Sequence, residues 1–339
     1  MPRPISNPAN PWASTYVDWL GEPPKSALEV FEEDAKSLLT RNDSPDVPFR
    51  WSANPYRGCF HACAYCYARP SHQYLGFGAG TDFDRKIVVK RNAPELLARE
   101  LARRRGRKES IAFSGVTDCY QPIEATYGIT RACLEVCREF QAPVGIITKG
   151  ALVRRDVDVL AKLAEKKLAR VYLSIPFADE AHGRAIEPFA SPVAKRFETL
   201  RVLSEAGIPT GVALAPIIPG LNDSDVAEVL ERALEAGARR AFMILLRLPS
   251  EVGPVFWERV REAFPERASK IESALRQVRG GRLTDARFGS RMSGSGPRWE
   301  IVERLFATTC RRLGLEHGES TDVARSDELP PREQQRTLF

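Results

Sequence analysis

The chain has 339 residues, 43% of them hydrophobic, enough to bury one large core with appendages. Its 50 Lys and Arg against 44 Asp and Glu give a formal net charge of +6, a mild excess that excludes neither an anionic substrate nor ordinary solvated faces. No run approaches the roughly 18 apolar residues of a membrane-spanning helix, and the N-terminal stretch lacks the apolar segment of a secretory signal, so a cytoplasmic protein with no membrane partner is expected.

Residues 1–48 read as an N-terminal extension in which the apolar spacing of SALEVFEEDAKSLLTR predicts a helix. A strand is expected near PFRWSANPY, directly before a dense group of cysteines. Residues 85–108 then hold ten Lys or Arg against Glu95 and Glu100, which fits either a solvated helix face or a patch for DNA or another polyanion. From about residue 110 short β-branched runs alternate with helical periods. The runs SIAFSGV, APVGIITK, ARVYLSIP, IPTGVALAPII and ARRAFMILLRL predict strands. Helices are expected over 126–141, 154–167, 192–206 and 223–237, the last opening at Asn222 or Asp223 and closing at Gly237.

Six βα units without hairpin signals predict a parallel sheet with helices outside, either an open doubly wound sheet or a full or partial barrel. In such folds the site forms at the C-terminal ends of the strands. That rim should gather the cysteines, TDCYQPIE (117–124), Thr148 and Lys149, Ser174 with Arg184 and Glu187 beyond it, PGLND (219–223) and Arg247. The βα core spans 49–250, and residues 251–315 read as a C-terminal helical region. Within that region, RGGRLTDARFGSRMSGSGPR is either a flexible linker or a basic lid over the rim. Residues 316–339 form a polar tail expected to be flexible.

Three of the seven cysteines crowd into NPYRGCFHACAYCYARPSH as Cys59-x3-Cys63-x2-Cys66. Soft thiolates in a reducing compartment suit zinc or an iron–sulfur cluster. A structural zinc would draw on a second C-x2-C or C-x-H pair, and none is present. Cys133 and Cys137, spaced i, i+4 among apolar neighbours, read as core packing, as does Cys310, while His61 and His72 read as hydrogen-bonding surface residues. Three thiolates on a four-iron cluster leave one iron open to a small molecule.

The pattern C-x3-C-x-aromatic-C, with Tyr65 before the last cysteine, resembles the signature of the radical S-adenosylmethionine (SAM) superfamily. The ordered recurrence of NPYRGC, YCYARPSH, TDCYQPIE, ITKG, RDVDVL, the Glu187-Pro188 pair and APIIPGLND resembles the branch related to spore photoproduct lyase, over roughly residues 47–300. The resemblance implies a partial (βα)6 barrel of TIM type and a [4Fe–4S] cluster on Cys59, Cys63 and Cys66. It also implies SAM on the open iron, an electron donor such as flavodoxin or ferredoxin, and a 5′-deoxyadenosyl radical as the reactive species. Carried over residue by residue, it places Tyr65 beside the adenine and Thr117 and Asp118 near the SAM amino group. It makes Lys149 and Ser174 polar contacts, Arg184 the partner of the SAM carboxylate, and Ile217 and Ile218 adenine contacts.

Two positions depart from many relatives, Phe189 standing for Arg and Cys119 for Pro. Cys119 lies in the neighbourhood where spore photoproduct lyase uses a cysteine as hydrogen-atom donor, which makes it a catalytic candidate; a buried packing thiol is the plainer reading. The end QRTLF (335–339) resembles the peptide by which bacterial repair and replication proteins dock on the sliding clamp. The functions expected are repair or modification of nucleic acid by a radical SAM enzyme, radical SAM modification of a peptide, RNA or small metabolite, or a zinc-binding structural or nucleic-acid-binding module.

Overall fold

A computed structural model describes residue 7, residues 27–104 and residues 109–317. Its strands are β1 (Glu29–Glu33), β2 (Leu39–Arg41), β3 (Trp51–Ala53), β4 (Tyr56–Arg57), β5 (Lys86–Lys90), β6 (Ile111–Phe113), β7 (Val144–Thr148), β8 (Ala169–Ser174), β9 (Thr210–Ile217), β10 (Arg240–Leu245) and β11 (Glu316–His317). Its helices are α1 (Thr81–Arg85), α2 (Ala93–Ala102), α3 (Glu124–Tyr127), α4 (Ile129–Phe140), α5 (Val157–Glu165), α6 (Glu180–Ile186), α7 (Val193–Glu205), α8 (Val226–Glu235), α9 (Val252–Ala263), α10 (Ala268–Val278) and α11 (Pro297–Leu313). None is long and apolar enough to cross a membrane.

The large sheet has eight strands in the order β11-β10-β9-β8-β7-β6-β3-β2. Six of them, β3 and β6 through β10, run parallel in chain order, as the βα alternation requires. The sheet curls without closing, so the architecture is a partial barrel. Both sheet faces are covered, and the strands accordingly read as nearly continuous buried runs; in β9 only Ala215 is not fully buried. The helices pack on this sheet through single apolar stripes. On α4 the stripe is Ile129, Thr130, Cys133, Leu134 and Cys137, so the cysteine pair is core, as is Cys310 on α11.

Two antiparallel pairings lie outside the βα repeat: β2 runs against β3, and β4 against β5. The stretch expected to be an N-terminal helix is instead β1 and β2. β5 offers a free edge, and β1 adds to it in parallel register with Glu29 beside Lys86 and Glu33 beside Lys90. The backbone after β1 is satisfied by distant side chains in place of helical bonds. Asn92 brackets Ala35 with both amide atoms at 2.9 and 3.0 Å, and the Glu100 carboxylate accepts Leu38 and Leu39 N–H at 3.0 and 2.8 Å.

The helix expected from 223 begins three residues later, at Val226. Asn222 is not its cap; fully buried, it accepts Ile218 N–H at 2.6 Å and donates to the Pro176 and Pro216 carbonyls at 2.7 and 3.1 Å. It therefore ties the loop after β9 to the end of β8. The glycine- and arginine-rich segment 279–298 is a folded cap on β10. Buried Arg279 donates to the carbonyls of Leu246, Ser290, Arg291 and Ser293, and Met292 O accepts Leu245 N–H at 3.0 Å. Arg291 pairs with Asp46 and bonds Ser44, and Arg298 pairs with Asp223 at 2.8 Å, so the segment bridges the two sides of the open barrel.

The basic run beginning at residue 85 is largely engaged internally. Arg85 stacks on Phe60 and Phe189, Lys86 pairs with Asp82, Lys90 is buried, Arg91 pairs with Glu32, and Arg104 pairs with Glu109 over the Trp51 ring. Arg99 and Arg103 are exposed, and residues 105–108 lie outside the described residues. Of the two readings of this run, the polyanion patch is thus reduced among its described residues.

Two predictions follow from buried polar groups. Asn222→Ala orphans a buried N–H and two carbonyls, and urea unfolding is expected to show a loss of about 3 kcal/mol. His72 is fully buried against Phe77 and Phe83, and burial pushes its imidazole down to about 4, opposed by the Lys86 backbone. The ring stays neutral in the fold but charges near pH 6.5 when unfolded, so stability is unaffected above that pH and is lost as pH falls from about 6.5 to 4. The loss due to His72 should reach about 3 kcal/mol, read in the same denaturation series as the change, over that window, in the stability difference between wild type and His72→Leu, in which this contribution is absent.

Candidate active site

β4 leads into Gly58, whose φ of +76° and tight surroundings, with the Phe83 and Lys86 carbonyls 2.9 and 3.0 Å from where a Cβ would sit, admit only glycine. The turn it makes sets Cys59 against α1, with Cys59 N–H donating to Phe83 O at 2.9 Å. From the loop after β6, Thr117 Oγ1 and Gln121 Nε2 both donate to Gly58 O at 2.6 and 3.1 Å, and Gln121 Oε1 accepts Phe60 N–H at 2.8 Å. Ala64 N–H donates to Ile186 O at 3.0 Å, which ties the middle of the loop to α6. Cys59 and Cys63 are buried and Cys66 is half-buried.

Burial pushes all three thiols up, so a soft metal must displace their protons on binding. Among the described residues no three His, Cys, Asp or Glu side chains gather as ligands of one ion. Three soft thiol donors on one loop are the donor chemistry of an iron–sulfur group.

Beside this loop the strand ends carry a connected polar network. Asp118 accepts Thr148 Oγ1 at 2.6 Å and Lys149 N–H at 2.8 Å, and lies 3.3 Å from His61 Nδ1. Burial alone would raise its carboxyl, but His61, the Lys149 amide and Thr148 hold it well below the usual carboxylate range. Lys149 Nζ donates to Ser174 Oγ at 3.0 Å, stands 3.8 Å from Glu187 Oε1 and sits over the Tyr65 ring. Ser174 in turn donates to Ala215 O at 3.2 Å. Tyr65 donates its hydroxyl to Glu187, and Arg196 pairs with the other Glu187 oxygen while donating to Ser174 O at 3.0 Å. Ile217 and Ile218 are buried at the end of β9.

The structure thus brings together Cys59, Cys63, Cys66, Tyr65, Thr117, Asp118, Lys149 and Ser174 at one rim. It does not bring Arg184 there: α6 buries Gly183 and Ile186, and the neighbouring position 184 faces solvent. The buried cation paired with Glu187 is Arg196, on the inner stripe of α7 with Val193, Phe197 and Leu200, where an arginine at an apolar helix position was the available signal. Cys119 is fully buried, its Sγ accepting from Ser114 Oγ at 3.1 Å, so it is enclosed in the core beneath the rim. His61 and His72 are both buried, contrary to the surface expectation, since each packs against the cysteine loop or its support.

The family model for the radical SAM superfamily matches residues 53–233. An uncharacterized protein of Mycobacterium tuberculosis is 34% identical over 258 residues, 75% of this chain and 76% of its own length. One of Methanocaldococcus jannaschii is 33% identical over 198 residues, 58% of this chain and 71% of its own. Among solved structures, spore photoproduct lyase complexed with dinucleoside spore photoproduct superposes with a TM-score of 0.62 at 15% identity, over 88% of this chain and 87% of that one, a likeness of fold. The superfamily generally binds a [4Fe–4S] cluster and SAM. A thiol loop after the first of six parallel strands, with this match across more than half of the chain, makes the protein a member of the radical SAM superfamily, in a fold shared with spore photoproduct lyase.

Proposed function

We propose that Cys59, Cys63 and Cys66 carry a [4Fe–4S] cluster and that the chain uses it, with SAM, to act on nucleic acid. When bound, the cluster and SAM together supply a one-electron reductive cleavage that yields methionine and a 5′-deoxyadenosyl radical, the electron coming from a donor such as flavodoxin or ferredoxin. The observation that carries this is the three-thiol loop set at the C-terminal rim of the parallel strands.

The chain's own residues then divide the work. Tyr65, fixed through its hydroxyl by Glu187, offers a ring face for the adenine, while Ile217 and Ile218, fully buried at the end of β9, back that side of the site from within. Thr117 and Asp118 act by positioning, one holding the Gly58 carbonyl and the other holding His61 and the Lys149 amide. Lys149, together with Ser174, is the cation this rim offers to the SAM carboxylate, in place of Arg184. Tyr65, Lys149, Ser174, Glu187 and Arg196 form a prebuilt site that costs little reorganisation.

For a nucleic-acid substrate, two exposed aromatics at the rim each sit under an arginine. Tyr67, directly after Cys66, has Arg247 5.8 Å from its ring centroid, and Phe288 has Arg291 at 4.3 Å. Bases stack on such rings, and Arg247 can meet a phosphate, whereas Arg291 is already held by Asp46 and Ser44. The neighbour complexed with dinucleoside spore photoproduct supports the same substrate class.

Anaerobically reconstituted protein should hold about four iron and four sulfide per chain and form 5′-deoxyadenosine from SAM, and Cys63→Ala should do neither. With DNA bearing the spore photoproduct, thymine should appear alongside 5′-deoxyadenosine. Deoxyadenosine without repair would keep the superfamily chemistry and sink the lyase assignment in favour of another substrate. QRTLF lies outside the described residues; as a clamp-docking motif, a peptide of residues 330–339 should bind a bacterial sliding clamp with micromolar affinity, and Phe339→Ala should abolish it.

A further inference from the structure

Arg69 is fully buried beneath the cysteine loop, in the 3₁₀ helix Arg69–Leu75. An arginine so placed is retained for what it holds. Its Nε and Nη2 both donate to the Cys63 carbonyl, at 3.1 and 2.9 Å, and Nη1 donates to the Ala79 and Gly80 carbonyls at 3.0 and 2.9 Å. The same Cys63 carbonyl accepts Cys66 N–H at 3.2 Å, and Cys66 O accepts Arg69 N–H at 3.3 Å. One residue therefore closes, by backbone and side chain, the turn that presents the second and third thiols.

Among the described residues the guanidinium pairs with one carboxylate, Asp84 of α1, with Nη2 2.9 Å from Oδ1 and Arg85 and Arg259 also acting on that carboxylate, and its Cζ stands 5.2 Å from the Phe83 ring centroid. Burial pushes the Asp84 carboxyl up to about 6 against the pull of Arg69, so it is charged in mildly alkaline buffer. Both charges are almost without water contact, where Coulomb interactions are screened least.

We propose that Arg69 is a positioning residue for the cluster: it fixes the Cys63–Cys66 turn, and its buried positive charge, offset by Asp84, sets how readily the cluster accepts the electron that starts the reaction. This rests on the assignment of Cys59, Cys63 and Cys66 as cluster ligands. In the step concerned one electron passes from the reductant to the cluster, which becomes more negative by one charge, and no bond breaks. A buried cation beside the loop favours the reduced form, and a buried carboxylate opposes it.

The test uses the full chain, reconstituted anaerobically and titrated with dithionite in mildly alkaline buffer, with the reduced cluster followed by electron paramagnetic resonance. Arg69→Gln should lower the midpoint potential and Asp84→Asn should raise it, opposite shifts that loss of packing alone does not produce. Arg69→Lys keeps the charge without the two-armed grip on Cys63, so its potential should stay near wild type while less iron is retained. Shifts of both neutralising variants in one direction, or none in either, would overturn the inference. Should Arg69→Gln take up no cluster, Asp84→Asn decides alone, a rise supporting the inference and any other result overturning it. A wild-type chain that binds no iron and sulfide overturns the cluster assignment and this inference together; a normal wild-type cluster with silent variants overturns this inference only.

Discussion

A loop that carries three thiols has no hydrogen-bonded ladder of its own, so the shape of the Cys59 to Cys66 segment depends on bonds delivered from its neighbours. Thr117 and Gln121 hold the Gly58 carbonyl, Phe83 receives the Cys59 amide, Ile186 receives the Ala64 amide, and Arg69 grips the Cys63 carbonyl. These come from the loop after β6, from α1, from α6 and from the 3₁₀ helix, so the loop is correct only when the parallel strands around it are already in register. The fold thereby couples the chemistry to its own completion.

The second dependence is electrostatic. Glu187, with Tyr65, Lys149 and Arg196 around it, is a buried charge that would be costly alone and is stable because two cations and a hydroxyl face it. Such a network adds little net stability over an apolar core of the same volume, but it admits few alternative arrangements. Its members come from the cysteine loop, the ends of β7 and β8, the loop after α6, and α7. A single geometry of Tyr65 and Lys149 relative to the thiols is what a site for one small cofactor requires.

How much of this was legible in the chain follows from which residues report only on themselves. The β-branched runs buried on both faces mark β6 to β10, and the helical stripes between them mark the crossovers, so the parallel sheet was readable from periodicity. The cysteine spacing and the polar residues at the strand ends were readable for the same local reason. The N-terminal segment was not, because Val30 and Phe31 fit a helical stripe as well as a strand, and the deciding partners, β5, Asn92 and Glu100, are distant in sequence. Arg184 and Arg196 both follow Ser174, and the packing of α6 and α7 turns one to water and the other to Glu187, a choice that the sequence marks only by the place of Arg196 among Val193, Phe197 and Leu200. Asn222 has the residue type of a cap, and its role as a loop tie depends on carbonyls at Pro176 and Pro216 that no local pattern reveals.

The central claim is that three protein thiols leave one iron of the cluster open to SAM. The most direct measurement is pulsed electron–nuclear double resonance on the reduced protein with SAM isotopically labelled at its amino nitrogen. The account predicts a hyperfine coupling from that nitrogen to the cluster. Absence of the coupling, with a histidine nitrogen of the protein coupled in its place, would show the fourth iron closed by the chain and would contradict the account.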